Sequence, residues 1–154
     1  MIKFLIFLFL IYTLFKKIYS VYLKKQSFKN RGDIHSFKVQ LADTNNKRTT
    51  GLIHVKKRLK NNTGMLFDFK KNLYPKMTMR KTSIDLDCIF INNNGKVVDL
   101  ISNMKAKSKK SYDSKKLSRY ALEVNSGTIK RKNIKVNDYI STTLLKNNIT
   151  NFKP

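Results

Sequence analysis

The chain has little of what most enzymes use: one cysteine, two histidines, five glycines, two prolines, no tryptophan and nine acidic residues in 154. A lone cysteine, Cys88, excludes an internal disulfide. Its setting in "LDCIFI" reads as a small buried hydrophobe, because a reactive thiol needs a nearby base or polar pocket. The histidines, His35 in a linker and His54 on a predicted helix face, lack a second ligand at metal-site spacing, so neither a metal nor a cofactor is expected. No serine or cysteine stands in an elbow-like context for nucleophilic attack. Gly51 and Gly64 are too far apart in the chain for a phosphate cradle, which crowds its glycines ahead of a helix.

The shortage of acids gives the chain its strongest signal. Thirty-three Lys and Arg against nine Asp and Glu leave +24. Setting aside residues 1–25, which hold five lysines and no acid, leaves +19. Such a charge attracts polyanions, whether nucleic acid, anionic lipid or an acidic envelope polymer. Richness in Lys, Asn and Ile with little Arg also fits codons dominated by adenine and thymine. That bias accounts for Lys over Arg and leaves the scarcity of Glu unexplained, so a functional and a generic basic surface both stand at this point. Hydrophobic content of 41% with 11% aromatics argues for a folded body. The length suits one domain and a short appendage.

The appendage is residues 1–25. "FLIFLFLIYTLF" is an uncharged run of signal-peptide length, shorter than the roughly 20 residues of a spanning helix. Lys16 and Lys17 follow it directly, and no small-x-small cleavage site precedes Tyr19-Ser20. An uncleaved anchor from Ile2 to about Leu23, with snorkelling lysines, is the second reading. Membrane targeting is expected either way. Export is the leading expectation, although the denser lysines on the carboxyl side would by the positive-inside rule hold the domain in the cytoplasm.

Residues 26–35 read as a polar linker, 36–142 as the domain and 143–154 as a polar tail. "SFKVQLADT" (36–44) alternates as a half-buried strand. Leu52, Val55 and Leu59 predict an amphipathic helix over Thr49–Leu59, stopped by "NNTG". "MLFDF" begins a strand with Met65, Phe67 and Phe69 on one face. Residues 74–91 read as extended chain, in which Ile84, Leu86, Cys88 and Phe90 alternate with Asp85, Asp87, Ile89 and Ile91. Asn94-Gly95 signals a hairpin into the strand 96–101. A lysine-rich loop, 102–118, follows, then the strand 119–124, a short helix "TIKRKNI" capped by Ser126, and a closing strand 138–142. The expected class is α+β, mostly β: a single compact sandwich- or barrel-like domain with two short helices.

Several of these segments also resemble a known family. "ADTNNKRTTGL", "GMLF", "MRKTSIDLDCIFINNNGKVV", "YALEVNSG" and "NDYI" are similar, in order, to the small prokaryotic proteins called domain of unknown function 192. The matching positions are Arg48, Gly51, Leu52, Gly64, Met65, Leu66, Phe67, Met79, Thr82, Leu86, Asp87, Gly95, Leu122, Glu123, Gly127 and Asp138. Departures from the family pattern are Ile53 for Met, Thr78 for Trp, Lys81 for Asn, Asp85 for Pro and Asn137 for Gly. The resemblance implies a compact β-rich fold, frequent signal peptides, and no established activity or cofactor.

Two groups of residues are functional candidates. Arg80, Thr82, Asp85 and Asp87, with Glu123 on a later strand, form a polar cluster if the chain stays extended through Ser83. Paired carboxylates there would suit acid–base work, and the alternative is that they fasten strands. Lys105, Lys107, Lys109, Lys110, Lys115 and Lys116 in the loop, with Lys130, Arg131 and Lys132, are the polyanion candidates. Tyr112 is the one aromatic in the loop that could stack a base. The leading expectation is therefore an exported or membrane-anchored module that binds an anionic envelope component. An enzyme using the carboxylates on a small polar substrate and a cytoplasmic-facing nucleic-acid binder are the alternatives.

Overall fold

The structure, a computed structural model, describes residues 37–140, all within the unit Ser36–Pro154. The expected leader, linker and polar tail lie outside the described residues. Among the described residues, seven strands and two short helices follow in chain order: β1 (Lys38–Ala42), α1 (Asn45–Thr50), β2 (Thr63–Leu73), β3 (Lys76–Thr78), β4 (Leu86–Ile91), β5 (Val97–Met104), β6 (Ser111–Asp113), β7 (Ser118–Asn125) and α2 (Thr128–Arg131). Five strands make one sheet in the order β1-β2-β7-β4-β5, and β3 and β6 pair separately. Of these described pairings, β1–β2 is parallel and the others are antiparallel. The large sheet ends at β1 and β5 among the described residues, so the mostly-β expectation holds without a closed barrel.

Period-two alternation builds both faces of this sheet. Leu86, Cys88 and Phe90 of β4 join Met65 and Phe67 of β2 and Ala121 of β7 in one apolar cluster. Ile89 and Ile91 join Leu66, Leu122 and Val124 in a second cluster on the opposite face. With both faces covered, every residue of β4 is buried, including Asp87.

The predicted helix over Thr49–Leu59 is displaced. Thr44 caps α1 by accepting the Lys47 N–H at 3.3 Å, and Gly51, at φ +47°, closes it. Two overlapping turns, closed by the Ile53 N–H on Thr50 and the Val55 N–H on Leu52, carry Leu52 and Val55 onto the first cluster, and an irregular stretch held by Asn125 brings Leu59 there. The extended reading of 74–91 also fails. The Thr82 N–H donates to the Met79 carbonyl at 3.1 Å, so the chain reverses at Arg80-Lys81.

Smaller differences follow the same logic. The hairpin sits where expected, but Asn92 organises it by accepting the N–H groups of Asn94 and Lys96. The loop 102–118 is interrupted by β6, whose partner β3 is distant in sequence. Ser126 does not cap α2: Gly127 takes that position at φ +82°, and Ser126 Oγ donates to Asn103 Oδ1. The closing strand reduces to a bridge between Lys96 and Tyr139, with residues 141–142 outside the described range. Among the described residues no helix is long and apolar enough to cross a membrane.

Candidate functional site

At one end of the large sheet β2 and β4 begin, while β5 and β7 end, as the pairings Leu86–Met104, Leu86–Asn125 and Gly64–Val124 require. The segments entering and leaving there carry most of the candidate side chains. Arg58 and Lys60 precede β2, and Arg80 and Lys81 precede β4. Lys105, Lys107, Lys109 and Lys110 follow β5, and Lys130, Arg131 and Lys132 lie on and just beyond α2. The acids at this end, among the described residues, are Asp85 and Asp87 beside the buried Glu123.

Asp85 holds the lysine loop. Its Oδ1 accepts the Ala106 N–H at 2.8 Å, and its Oδ2 meets the Lys105 ammonium at 2.8 Å. The Ala106 bond first, then Lys105, keeps this carboxyl below its ordinary range. Thr82 contributes through its carbonyl, which accepts the Lys107 N–H at 2.9 Å, and Tyr112 Oη accepts that of Lys105 at 3.1 Å. The backbone of 105–107 is therefore anchored, while Lys107, Lys109 and Lys110 are exposed. The register of β3 on β6 pairs Thr78 with Ser111, which brings Arg80 and Lys81 alongside these three lysines.

Asp87 is fully buried in β4. One carboxylate oxygen accepts the Asn103 N–H of β5 and the other the Ile129 N–H of α2, each at 2.9 Å. It thus fixes the helix that carries Lys130 and Arg131. Asp85 and Asp87 share no bonding partner, and Asp85 is pushed down, the opposite of what a proton-sharing pair would show. Arg80 is exposed in its turn and makes no ion pair among the described residues. The polar cluster is consequently divided: Thr82 and Asp85 support the lysine loop, Asp87 supports α2, and Arg80 joins the cations.

The basic candidates divide as well. Lys115 and Lys116 lie beyond the far end of β6, where Asp99 Oδ2 accepts the Lys115 N–H at 2.8 Å. The Arg131 guanidinium folds back onto Thr128 Oγ1 at 2.9 Å, and Lys132 Nζ lies 5.4 Å from the Phe37 ring centroid. Tyr112 packs its ring against the first cluster.

Glu123 stands apart from the other described acids. It is 5% exposed, and Met65 and Cys88 stand directly opposite it on the neighbouring strands, sharing its face. Burial alone raises its carboxyl from 4.5 to about 8, and it makes no hydrogen bond. No fully sealed side-chain oxygen or nitrogen among the described residues lacks a partner, so the Glu123 oxygens retain a narrow contact with the surface. Cys88 beside it is inert: burial, then Glu123, Asp99 and Asp87, push its thiol well up. The described residues contain no group of three or more His, Cys, Asp or Glu able to hold a metal.

Residues 26–142 match the family described as DUF192, Uncharacterized ACR. The chain belongs to that family. Two solved structures are similar. One, described as a candidate transcription regulator from Sinorhizobium meliloti 1021, is 32% identical with a TM-score of 0.67, over 70% of this chain and 83% of its own. The other, a protein of unknown function from Novosphingobium aromaticivorans DSM 12444, is 27% identical with a TM-score of 0.64, over 67% and 73%. No curated protein matches the chain.

Several DUF192-like positions now have physical roles. A Cβ on Gly64 would stand 2.3 Å from the Glu123 carbonyl oxygen, so the β2–β7 approach requires glycine. Arg48 Nη1 donates to the Asp68 carbonyl at 2.7 Å, tying α1 to β2. Asn137, which departs from the family's glycine, has φ +78°, a conformation that Asn tolerates best among side-chain-bearing residues. Sequence reasoning passed over Asn125, whose amide both accepts the Leu59 N–H at 3.0 Å and donates to the Leu59 carbonyl at 2.8 Å. It also passed over Lys81 and Asp99, whose places depend on which loops meet.

Proposed function

We propose that this DUF192 chain is a membrane-targeted binding module whose basic sheet end docks an anionic envelope polymer or lipid surface. The observation that carries it is a group of cations at one sheet end whose neighbouring carboxylates are all engaged or buried. Residues 37–140 hold 24 Lys and Arg against 8 Asp and Glu, a net +16. At the basic end Asp85 and Asp87 are both consumed in holding the cationic segments in place, and Glu123 is kept neutral by burial. Asp43, Asp68, Asp99, Asp113 and Asp138 lie elsewhere. Clustered cations with few intervening acids produce a field that captures polyanions without a specific pocket.

Nucleic acid is the second reading, favoured by the same basic end and by the regulator description of one related structure. Tyr112 spends its ring on the core and its hydroxyl on Lys105, which supports backbone contact over base stacking.

The test is polyphosphate titration at several salt concentrations, with Lys107→Gln, Lys109→Gln and Lys110→Gln combined. At roughly 1 kcal/mol per lysine near an anionic surface, the triple variant should lose about a hundredfold in affinity. Lys115→Gln with Lys116→Gln, away from the basic end, should change it by less than about threefold. Equal losses from both variants would remove the localised site. Parallel titrations with anionic vesicles and a single-stranded oligonucleotide separate the two readings, and a carboxyl-terminal reporter active only outside the cytoplasm tests export.

A further inference from the structure

Glu123 adds no charge to the basic end, yet the fold keeps its carboxyl in an apolar face without giving it a partner. Its neighbours across the strands are Met65 and Cys88, and Ala121 and Asn125 flank it along β7 on the same face. Asn125 holds Leu59 by both its N–H and its carbonyl, so the turn-rich segment carrying Val55 and Leu59 covers the cluster about one pleat from Glu123. An unpartnered buried carboxyl is costly and is retained where something satisfies it.

The ligand's chemistry follows from the carboxyl and its walls. A neutral carboxylic acid presents one O–H donor and one carbonyl acceptor side by side. An anion would have to leave water for an apolar wall. A cation would have to leave water and ionise Glu123, which burial opposes. A primary carboxamide is uncharged and carries an acceptor oxygen with a syn N–H, the complement of the acid.

We infer that Glu123 is the recognition group of a small slot for primary carboxamides. The carboxyl O–H donates to the ligand's oxygen, its carbonyl accepts the ligand's N–H, and the ligand's aliphatic part lies against Met65 and Leu59. This site is independent of polyanion binding. No charged residue bears on Glu123 from β2, β4, β7 or the covering segment. The titratable side chain facing it is Cys88, which stays neutral.

The experiment titrates the full chain with valeramide and follows the Glu123 side-chain carbon by NMR. Saturable binding is expected at about pH 6, weakening about tenfold by pH 9 as the neutral acid is depleted. Glu123→Gln keeps a donor and an acceptor, so it should bind at both pH values alike. Glu123→Leu should not bind. N-butylacetamide, whose trans amide points its N–H away from its oxygen, should bind at least tenfold more weakly. A glutamine-containing tetrapeptide that competes with valeramide would mark a protein side chain as the natural source, and failure to compete would mark a free amide. The inference is overturned if wild type shows no saturable binding, if pentylamine binds better than valeramide, or if the Leu variant binds like wild type. Should the Leu variant not fold, a Gln variant that loses affinity with pH as wild type does would overturn it equally.

Discussion

Replacing Glu123 by Gln should make the domain more stable near neutral pH, and the pH dependence gives the reason. Burial moves the folded carboxyl from 4.5 to about 8. Between those values the native state holds a proton that the unfolded chain has released, so unfolding loses a proton and stability falls as pH rises. The slope is about 1.4 kcal/mol per pH unit, and the full window is worth about 5 kcal/mol. Below the window both states are protonated and the contribution is constant; above it both are ionised. That loss is comparable to the whole stability of a small domain, so the ionised form should open the turn-rich segment over the first cluster. Glutamine has nearly the same shape and no charge to bury, so Glu123→Gln should match wild type near pH 5 and exceed it by several kcal/mol near pH 8. Asp43, Asp68 and Asp85 are all held below their ordinary range, so their effect has the opposite sign and falls at more acid pH. Urea unfolding of both proteins at unit pH steps between about 5 and 8 measures the difference. Parallel curves with no gap opening toward alkaline pH would show that Glu123 is ionised or partnered, and the reasoning would fail.

Asp87→Asn turns one acceptor oxygen into a donor facing a backbone N–H. It should cost about 2–4 kcal/mol and lower Tm by more than about 10 °C, read by calorimetry. An unchanged Tm would contradict the fastening role and return Asp87 to the carboxylate-enzyme alternative. Gly64→Ala should cost about 3 kcal/mol or more in urea unfolding, because β2 and β7 would have to part to admit the methyl group. A loss under about 0.5 kcal/mol would refute that close approach.

The strands were legible because their signal is local. Phe37, Val39 and Leu41, or Leu86, Cys88 and Phe90, need only the pleat to declare a face. The stretch containing Leu52, Val55 and Leu59 misled because two turns place Leu52 and Val55 at helical spacing and Asn125 holds Leu59 in register with them, while Gly51 at positive φ ends the helix before them. The strand β6 was invisible for the converse reason: "SYD" is too short for its alternation to signal a strand, and it is one because β3 lies beside it. The site shows the same division. Its acids and most of its lysines were readable as candidates, while Lys60 and Lys81 were not. The bond from Asp85 to Ala106 that joins two candidate groups depends on the register of β4 and β5. The feature that sets Glu123 apart is a missing partner, which only the folded neighbours can show.

The scarcity of acids and the placement of the cations are connected. A surface with abundant carboxylates can spend some on neutralising lysines at random. Here each acid at the basic end has a structural duty, and each duty positions or spares a cation. Asp85 takes Lys105 and, by bonding Ala106, presents the lysines that follow it. Asp87 fixes the helix beneath Lys130. Glu123 is kept uncharged and so subtracts nothing from the field. A compositional bias alone would raise Lys everywhere without arranging that the carboxylates at one end of one sheet be internal, backbone-bonded or neutral. Reversing the bias with scattered Lys→Glu changes at the other end should therefore leave the basic end intact, whereas removing Asp85 should disorder it while making the chain more positive.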